Sequence, residues 1–370
     1  MKNCRLQPIW KVVLTDILLG ALILGLVVFF RLGLPMLRAR QSAAQSAPAA
    51  SATAVPAPAS TPTVESPAAP EPDLSAETAQ PAPEGVPDAA PTEPVAAPEA
   101  TPDTRTPWQI RFAEQFSDEV VATENSYTSP TTAIRIETRT FGEGDRKSVY
   151  HVADIYIASP EQFRTATANG ELRYFSTQDA MEIDAAAGAL LSIGGDFYSY
   201  QDRGFLMRNG QLYMSDQTYC DLCVLYADGT MATYSRDAYT VQEVLDRGAV
   251  QVWNFGPALL DEEGRAKPYY DVSTTVGYPN PRSAVGYYEP GHYCFVVVDG
   301  RQEGYSYGMT IPELAQVFEG LGCSCAYNLD GGGSALMIFR HERFSRQSNG
   351  ADRNLGDILL IAEAGEEGTR

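Results

Sequence analysis

The chain has 370 residues and 44% hydrophobic content, enough for one large domain or two modest ones with a packed core. Its formal net charge of -20 offers nothing to neutralise a phosphate backbone, so nucleic acid is excluded as a partner, and docking of the soluble part on anionic lipid is disfavoured. Six cysteines are too few to staple a fold of this size.

Residues 1–11 form a short tail carrying Lys2, Arg5 and Lys11. Val12 to Phe30 is then almost continuously apolar, interrupted by Thr15 and Asp16, and has the length of one membrane-spanning helix. Arg31, Arg38 and Arg40 follow it where a cleaved leader would have small residues. The run therefore reads as an uncleaved signal-anchor over 12–30 rather than a removable signal peptide. Flanking positive charge on both sides leaves orientation undecided.

Residues 31–107 are dominated by Ala, Pro, Ser, Thr and Glu. Such a stretch cannot bury enough apolar surface to offset its chain entropy, and proline stiffens it into a spacer. From Gln41 to Thr106 nine acids face one base, Arg105, so about eight of the negative charges belong to this linker. Anchor, stalk and folded domain together predict an extracytoplasmic domain held off a cell membrane.

Residues 108–370 read as the folded domain, rich in strand signals such as Ala133–Thr140 and Val149–Ala158. Asn209-Gly210, Asp228-Gly229 and Asp299-Gly300 each lie between apolar runs, as in tight hairpins. Helices are predicted from Ser159-Pro160-Glu161-Gln162, over Thr177–Ala187, after Thr240 with Glu243 as capping partner, and after Thr310 with Glu313 as partner. The last has an apolar face of Ile311, Leu314, Val317, Phe318 and Leu321, and Gly322 ends it. Strands outnumber helices without βαβ alternation, so the class is α+β around a mixed or antiparallel sheet, with a few helices.

The organising stretch is Cys325 to Phe339, two short apolar runs around Asn328, Asp330, Gly331, Gly332, Gly333 and Ser334. Three glycines weaken a strand and permit close approach of a ligand to the backbone, whose N–H groups then suit an anion. Asn328 and Asp330 are two apart and would leave one face of a strand. Three further clusters resemble strand ends at a cleft. They are Gly194-Gly195-Asp196, Asn254 to Ala258 with Asn280-Pro281-Arg282, and Asp352-Arg353. Each alone is an ordinary turn.

No nucleophile elbow surrounds Ser334, and there is neither a Walker loop nor a dinucleotide fingerprint. His151, His292 and His341 lack zinc-like spacing. No cofactor is required; Asp196, Asp299 and Asp330 could hold a divalent cation, but no spacing demands one. Cys220-x-x-Cys223 suits a local disulfide in an exported domain, and Cys323 or Cys325 could bridge to Cys294.

With these residues in order, the chain resembles the phosphodiester glycosidase family, the NAGPA-type domain. The matching segments are Pro281 to Gly286, Val296 to Arg301, Gly308 to Thr310, and Ala326 to Ser334. The Gly194 to Tyr198 cluster, Phe255 to Pro257 and Arg353 to Leu359 also fit, so the likeness covers roughly 180–362. One departure stands out: Gly194 occupies the place where the family usually has asparagine. The resemblance implies hydrolysis of a sugar-1-phosphodiester in a glycan or wall polymer. It implies Asp330 as first catalytic carboxylate and Asp196 as second, since paired carboxylates serve glycosyl transfer to water. Arg282 and Arg353 are then phosphate clamps, Gly331 to Gly333 and Gly195 contribute backbone contacts, and Asn328 and Ser334 read sugar hydroxyls. Two rival readings remain. One is a non-catalytic glycan-binding module of the cell envelope with the same fold. The other is a partner-docking module, which would expose an apolar patch instead of a polar cleft.

Overall fold

The computed structural model describes residues 104–365, except 202, 219 and 349–352. The expected signal-anchor at 12–30 and almost all of the linker lie outside the described residues. Among those described, no helix is long and apolar enough to cross a membrane. Helix α1 (Pro107–Arg111) opens on a capping box formed by Thr106 and Gln109.

Strands β1 (Val121–Ala122), β2 (Ser126–Thr128), β3 (Thr132–Phe141), β4 (Ser148–Ile157) and β5 (Phe163–Thr167) come first. Helix α2 (Ala180–Ala187) leads to β6 (Leu191–Gly194). There follow β7 (Phe205–Arg208), β8 (Gln211–Ser215), β9 (Leu222–Tyr226), β10 (Met231–Tyr234), α3 (Val241–Asp246) and β11 (Ala249–Trp253). Then come α4 (Thr274–Gly277), β12 (Arg282–Glu289), β13 (His292–Val298), α5 (Ile311–Leu321) and β14 (Cys325–Asn328). The chain closes with β15 (Met337–Phe339), β16 (Glu342–Arg343) and β17 (Asp357–Ile361).

These strands make three antiparallel sheets, ordered β1-β2-β3-β4-β13-β12-β14, β10-β9-β11-β7-β8 and β16-β15-β6-β17-β5. Side chains alternate across each strand, and the alternation distributes the core. Phe295 and Val297 of β13, Cys223 and Leu225 of β9, and Leu359 and Ile361 of β17 all enter one central cluster. Their neighbours point outward beneath helices. Val296 and Val298 meet Ile311, Leu314 and Phe318 of α5; Ile358 and Leu360 meet Ile183 of α2; Val224 and Val252 meet Val244 of α3. Strands buried on both faces read as continuous apolar runs, and each large side chain so covered contributes about 1.5–3 kcal/mol.

Two predicted elements differ. Ser159–Gln162 has its capping box but forms a single 3-10 turn, Pro160–Gln162. Gln162 spends its side chain on the Ala158 and Ser159 amides, Thr132 and the Ala362 carbonyl, and Phe163 enters β5 at once. Asp299-Gly300 is not a hairpin turn. β13 ends at Val298, and the Asp299 carboxylate is engaged by His151, Tyr305 and the Arg346 amide. Asn209-Gly210 does join β7 to β8, with both residues at positive φ.

The cysteine expectations change as well. The five described cysteines are unbridged. Cys220 lies ahead of β9 while Cys223 sits inside it in the central core, and neither is bridged. Cys294 and Cys323 are the close pair, with Sγ atoms 3.6 Å apart in the core beneath α5.

Candidate active site

Edge strand β14 delivers the glycine loop. Asn328, its last residue, is fully buried; its amide hydrogen-bonds the Pro257 carbonyl and its Nδ2 donates to the Gly256 carbonyl at 2.8 Å. Asn328 therefore fastens the loop to the segment after β11, and its side chain is not on the solvent side with Asp330. The Asp330 amide donates to the Gly195 carbonyl at 3.1 Å, joining the end of β14 to the end of β6.

The three glycines permit a tight wedge. A Cβ on Gly331 would stand 2.6 Å from the Pro281 carbonyl oxygen. Gly332 has φ +64°, and a Cβ there would meet the Arg301 guanidinium at 3.1 Å. The loop then turns through Gly332–Ser334 into β15. The expected anion-binding amides are partly consumed internally: Gly331 N–H donates to Asp330 Oδ1 at 2.9 Å and Gly332 N–H to the Pro281 carbonyl at 2.9 Å.

Arg353 arrives from beyond β16, with its backbone amide bonded to the Gly333 carbonyl at 3.1 Å. Its Nη2 donates to Asp330 Oδ2 at 2.9 Å and its Nε to Ser334 Oγ at 3.0 Å. Asp330, Ser334 and Arg353 thus converge. The Asp330 side chain keeps 13% exposure and Arg353 40%, so the pair faces solvent from a nearly closed seat. Burial raises the Asp330 carboxyl above the ordinary range, opposed by the Arg353 charge and by hydrogen bonds from Ser334 and the Gly331 amide. Asp352 lies outside the described residues.

Asp196 does not join this cluster. Its Oδ2 accepts from Arg208 Nη2 at 2.8 Å and its Oδ1 from the Tyr198 amide at 3.0 Å, with the side chain fully covered. Arg208 also donates through Nε to Asp357 Oδ2 at 2.9 Å, so one buried guanidinium bridges two buried carboxylates. Burial carries the Asp357 carboxyl up to about 7 despite the arginine. This knot underlies the site and leaves Asp196 no open oxygen for a substrate. Gly195 is pinned here too, since a Cβ on it would fall 2.0 Å from Asp357 Oδ1. At Gly194 a Cβ would lie 2.2 Å from the Ser334 carbonyl oxygen, so no side chain fits beside the loop in this arrangement.

Arg282 is likewise not free to clamp a phosphate. Its Nε donates to the Met309 carbonyl and its Nη2 to the Val276 and Tyr278 carbonyls, with the residue 3% exposed. Burial lowers its pKa to about 10, aided by the nearby Arg301 charge. Arg301, exposed and at φ +58°, reaches the loop beside Gly332 as well, with its Nη2 held by Asn280 Oδ1 at 2.6 Å.

Two cavities are lined by segments that contact the loop, and neither lining includes Asp330, Ser334 or Arg353. One, of about 580 Å³, is lined by Phe255, Gly256, Tyr269, Tyr270, Asp221 and Lys267. The other, of about 970 Å³, is lined by Arg301, Lys147, Tyr278, Glu303, Tyr305 and Tyr307. Val276 borders the first and Tyr278 the second, so Arg282 ties down the wall between them. Asp196, Asp299 and Asp330 are held by Arg208, His151 and Arg353 respectively. Among the described residues no three His, Cys, Asp or Glu side chains form a metal-ligand group.

Arg208, Arg301 and Phe197, whose ring lies 5.7 Å from the Arg353 guanidinium, were not singled out by sequence reasoning. A charged residue ending the apolar strand Phe205–Arg208 is a usable sign of a buried pair. Nothing local distinguishes Arg301 from Arg282.

Residues 187–362 match the family model described as phosphodiester glycosidase, NAGPA. The chain is 30% identical over 166 residues to the SPbeta prophage-derived uncharacterized protein YomE of Bacillus subtilis (strain 168), covering 43% of this chain and 25% of that protein. It therefore spans about a quarter of that relative's length. Its fold is similar to the zebrafish N-acetylglucosamine-1-phosphodiester alpha-N-acetylglucosaminidase catalytic domain auto-inhibited by its pro-peptide. The TM-score is 0.52 at 19% identity, over 66% of this chain and 88% of that one. A hypothetical protein from Synechocystis aligns with TM-score 0.50 at 13% identity, over 66% and 64% of the two chains.

Proposed function

We propose, from the premise that this chain belongs to the NAGPA-type phosphodiester glycosidase family, that it hydrolyses the bond between a sugar's anomeric carbon and a phosphodiester in a glycan or wall polymer. The observation that carries this reading is the Asp330–Arg353–Ser334 cluster, with the Arg301 guanidinium beside Gly332 of the same glycine loop.

Water replaces the phosphodiester at the anomeric carbon, the C1–O bond breaks, and a phosphate monoester leaves. That leaving group is a weak base, so little help from a general acid is needed. The demand is for a carboxylate beside an oxocarbenium-like centre and cations around the phosphate. Asp330 supplies the carboxylate, as base for the attacking water or as nucleophile. Its desolvated seat makes it a better proton acceptor than an ordinary aspartate. Arg353 can exchange one Asp330 contact for a phosphate oxygen, and Arg301 can take another oxygen across Gly332. Ser334 is positioned to orient Arg353.

Glycan binding without hydrolysis is the second reading. It draws on the full engagement of Asp196, which denies Asp330 the paired carboxylate expected for this chemistry. Incubating the full chain with a series of sugar-1-phosphodiesters separates the two. Free reducing sugar and a phosphate monoester support hydrolysis, and recovery of intact ligand after binding supports the alternative. The proposal also sets the domain outside the cytoplasmic membrane, on the apolar run at 12–30 and the spacer after it. Protease accessibility of the domain on intact cells tests that location.

A further inference from the structure

A row of aromatic rings leads from solvent to the Asp330–Arg353 pair. Tyr174, Phe175 and Tyr200 are 48%, 65% and 39% exposed. Ring centroids are 4.1 Å apart for Tyr174 and Phe175, 5.8 Å for Phe175 and Tyr200, and 4.7 Å for Tyr200 and Phe197. Phe197 carries the Arg353 guanidinium 5.7 Å from its centroid. Phe255, on the wall of the smaller cavity, is 6.4 Å further on.

Three large exposed rings in contact are uncommon on a protein surface and mark a place where something binds. The backbone beneath them is also held in an uncommon state. Phe175 has φ +58°, a region non-glycine residues seldom occupy unless the surroundings impose it. Its amide is bonded to the Ser199 carbonyl at 2.8 Å, in the turn that carries Tyr200. Gln178 and Leu355 exchange two backbone hydrogen bonds of 2.9 Å, fixing the same loop two residues from Arg353. The loop that displays Tyr174 and Phe175 is therefore fastened to both segments that build the site.

We infer that Tyr174, Phe175, Tyr200 and Phe197 form a track for the sugar units next to the scissile bond, so that the protein prefers an extended glycan to an isolated sugar phosphodiester. Aromatic faces carry negative quadrupole charge and take the C–H faces of pyranose rings while the hydroxyls stay in water. Successive rings suit successive sugar units. Continuity with the carboxylate and guanidinium pair selects a glycan as occupant over a protein partner. The catalytic part of this statement rests on the proposed hydrolysis; the binding part does not.

The test compares a tetramer of N-acetylglucosamine-1-phosphate units with the single-unit methyl phosphodiester, using the full chain and its Phe175→Ala and Phe175→Trp variants. Loss of one ring contact is expected to lower the tetramer-to-single-unit ratio of kcat/KM up to about tenfold in Phe175→Ala, with recovery in Phe175→Trp. Equal wild-type kcat/KM for the two substrates, or an unchanged ratio in Phe175→Ala, overturns the track. Should no sugar be released, calorimetric titration of the tetramer decides. Binding weakened by Phe175→Ala supports the track while hydrolysis fails, and absence of binding overturns it. Self-association that disappears in Phe175→Ala, without any glycan binding, also overturns it by making the patch a contact between copies.

Discussion

Arg353 Nη2 lies 2.9 Å from Asp330 Oδ2, and the same guanidinium reaches Ser334 Oγ through Nε at 3.0 Å. Residues 330 and 334 sit on opposite limbs of the glycine loop, so one arginine both closes the loop and sets the charge on its only acid. Burial raises the Asp330 carboxyl, and Arg353 is the largest influence pulling it back. The active form is the carboxylate, so activity is lost as pH falls through the raised value. The acid limb of the kcat/KM profile should therefore lie above the ordinary aspartate value of 3.8, and Arg353→Gln should move it higher still. A limb that stays in place in Arg353→Gln would detach Asp330 from the profile.

Arg208 is expected to govern stability. Removing it leaves Asp196 and Asp357 buried without their cation, and Arg208→Leu should cost about 3–5 kcal/mol in urea unfolding. Asp357 adds a pH dependence. Its folded value, about 7, exceeds its ordinary 3.8, so its contribution is fully present below 3.8 and is lost as pH rises through about 7. Without Arg208 the folded value rises further. The variant should then lose stability with rising pH over a wider window than the wild type. Parallel stability–pH curves would contradict this account.

Much of the scaffold could be read from local signals. Thr310, Glu313 and Gly322 delimit α5 because caps act within one turn of the residues that make them. The glycine loop between two strands was legible for the same reason. The Arg208 knot was not, since Asp357 lies 149 residues away and neither residue marks the other. Asp196 follows two glycines, as an open site would, yet Gly194 admits the Ser334 carbonyl and Gly195 admits Asp357 rather than a ligand. Arg282 and Arg301 have equal standing in the sequence. Only tertiary packing turns one onto backbone carbonyls and the other toward Gly332.

The two arginines should separate in experiment. Arg301→Ala is expected to raise KM for a sugar phosphodiester, with little change in the unfolding midpoint, because its side chain is exposed. Arg282→Ala strips charged hydrogen bonds from three buried or half-buried carbonyls, each worth about 1.5–3 kcal/mol, and should chiefly lower the midpoint. The reverse assignment of effects would restore Arg282 as the phosphate contact.

Glycine positions offer an internal control. Gly194→Ala places a Cβ 2.2 Å from the Ser334 carbonyl and must push the loop away from β6, lowering both stability and activity. Gly320, exposed on α5 with open space around it, should respond oppositely. Gly320→Ala is expected to stabilise by about 0.5–1 kcal/mol with unchanged kinetics. A harmless Gly194→Ala would show that the β6–loop contact does not constrain the site.

The most direct measurement is sugar release from an N-acetylglucosamine-1-phosphodiester by the full chain and by Asp330→Asn, with unfolding midpoints recorded for both. A folded Asp330→Asn whose kcat falls about 10²–10⁴-fold is the predicted result. Equal rates in the two proteins would remove Asp330 from the chemistry and contradict the proposed mechanism.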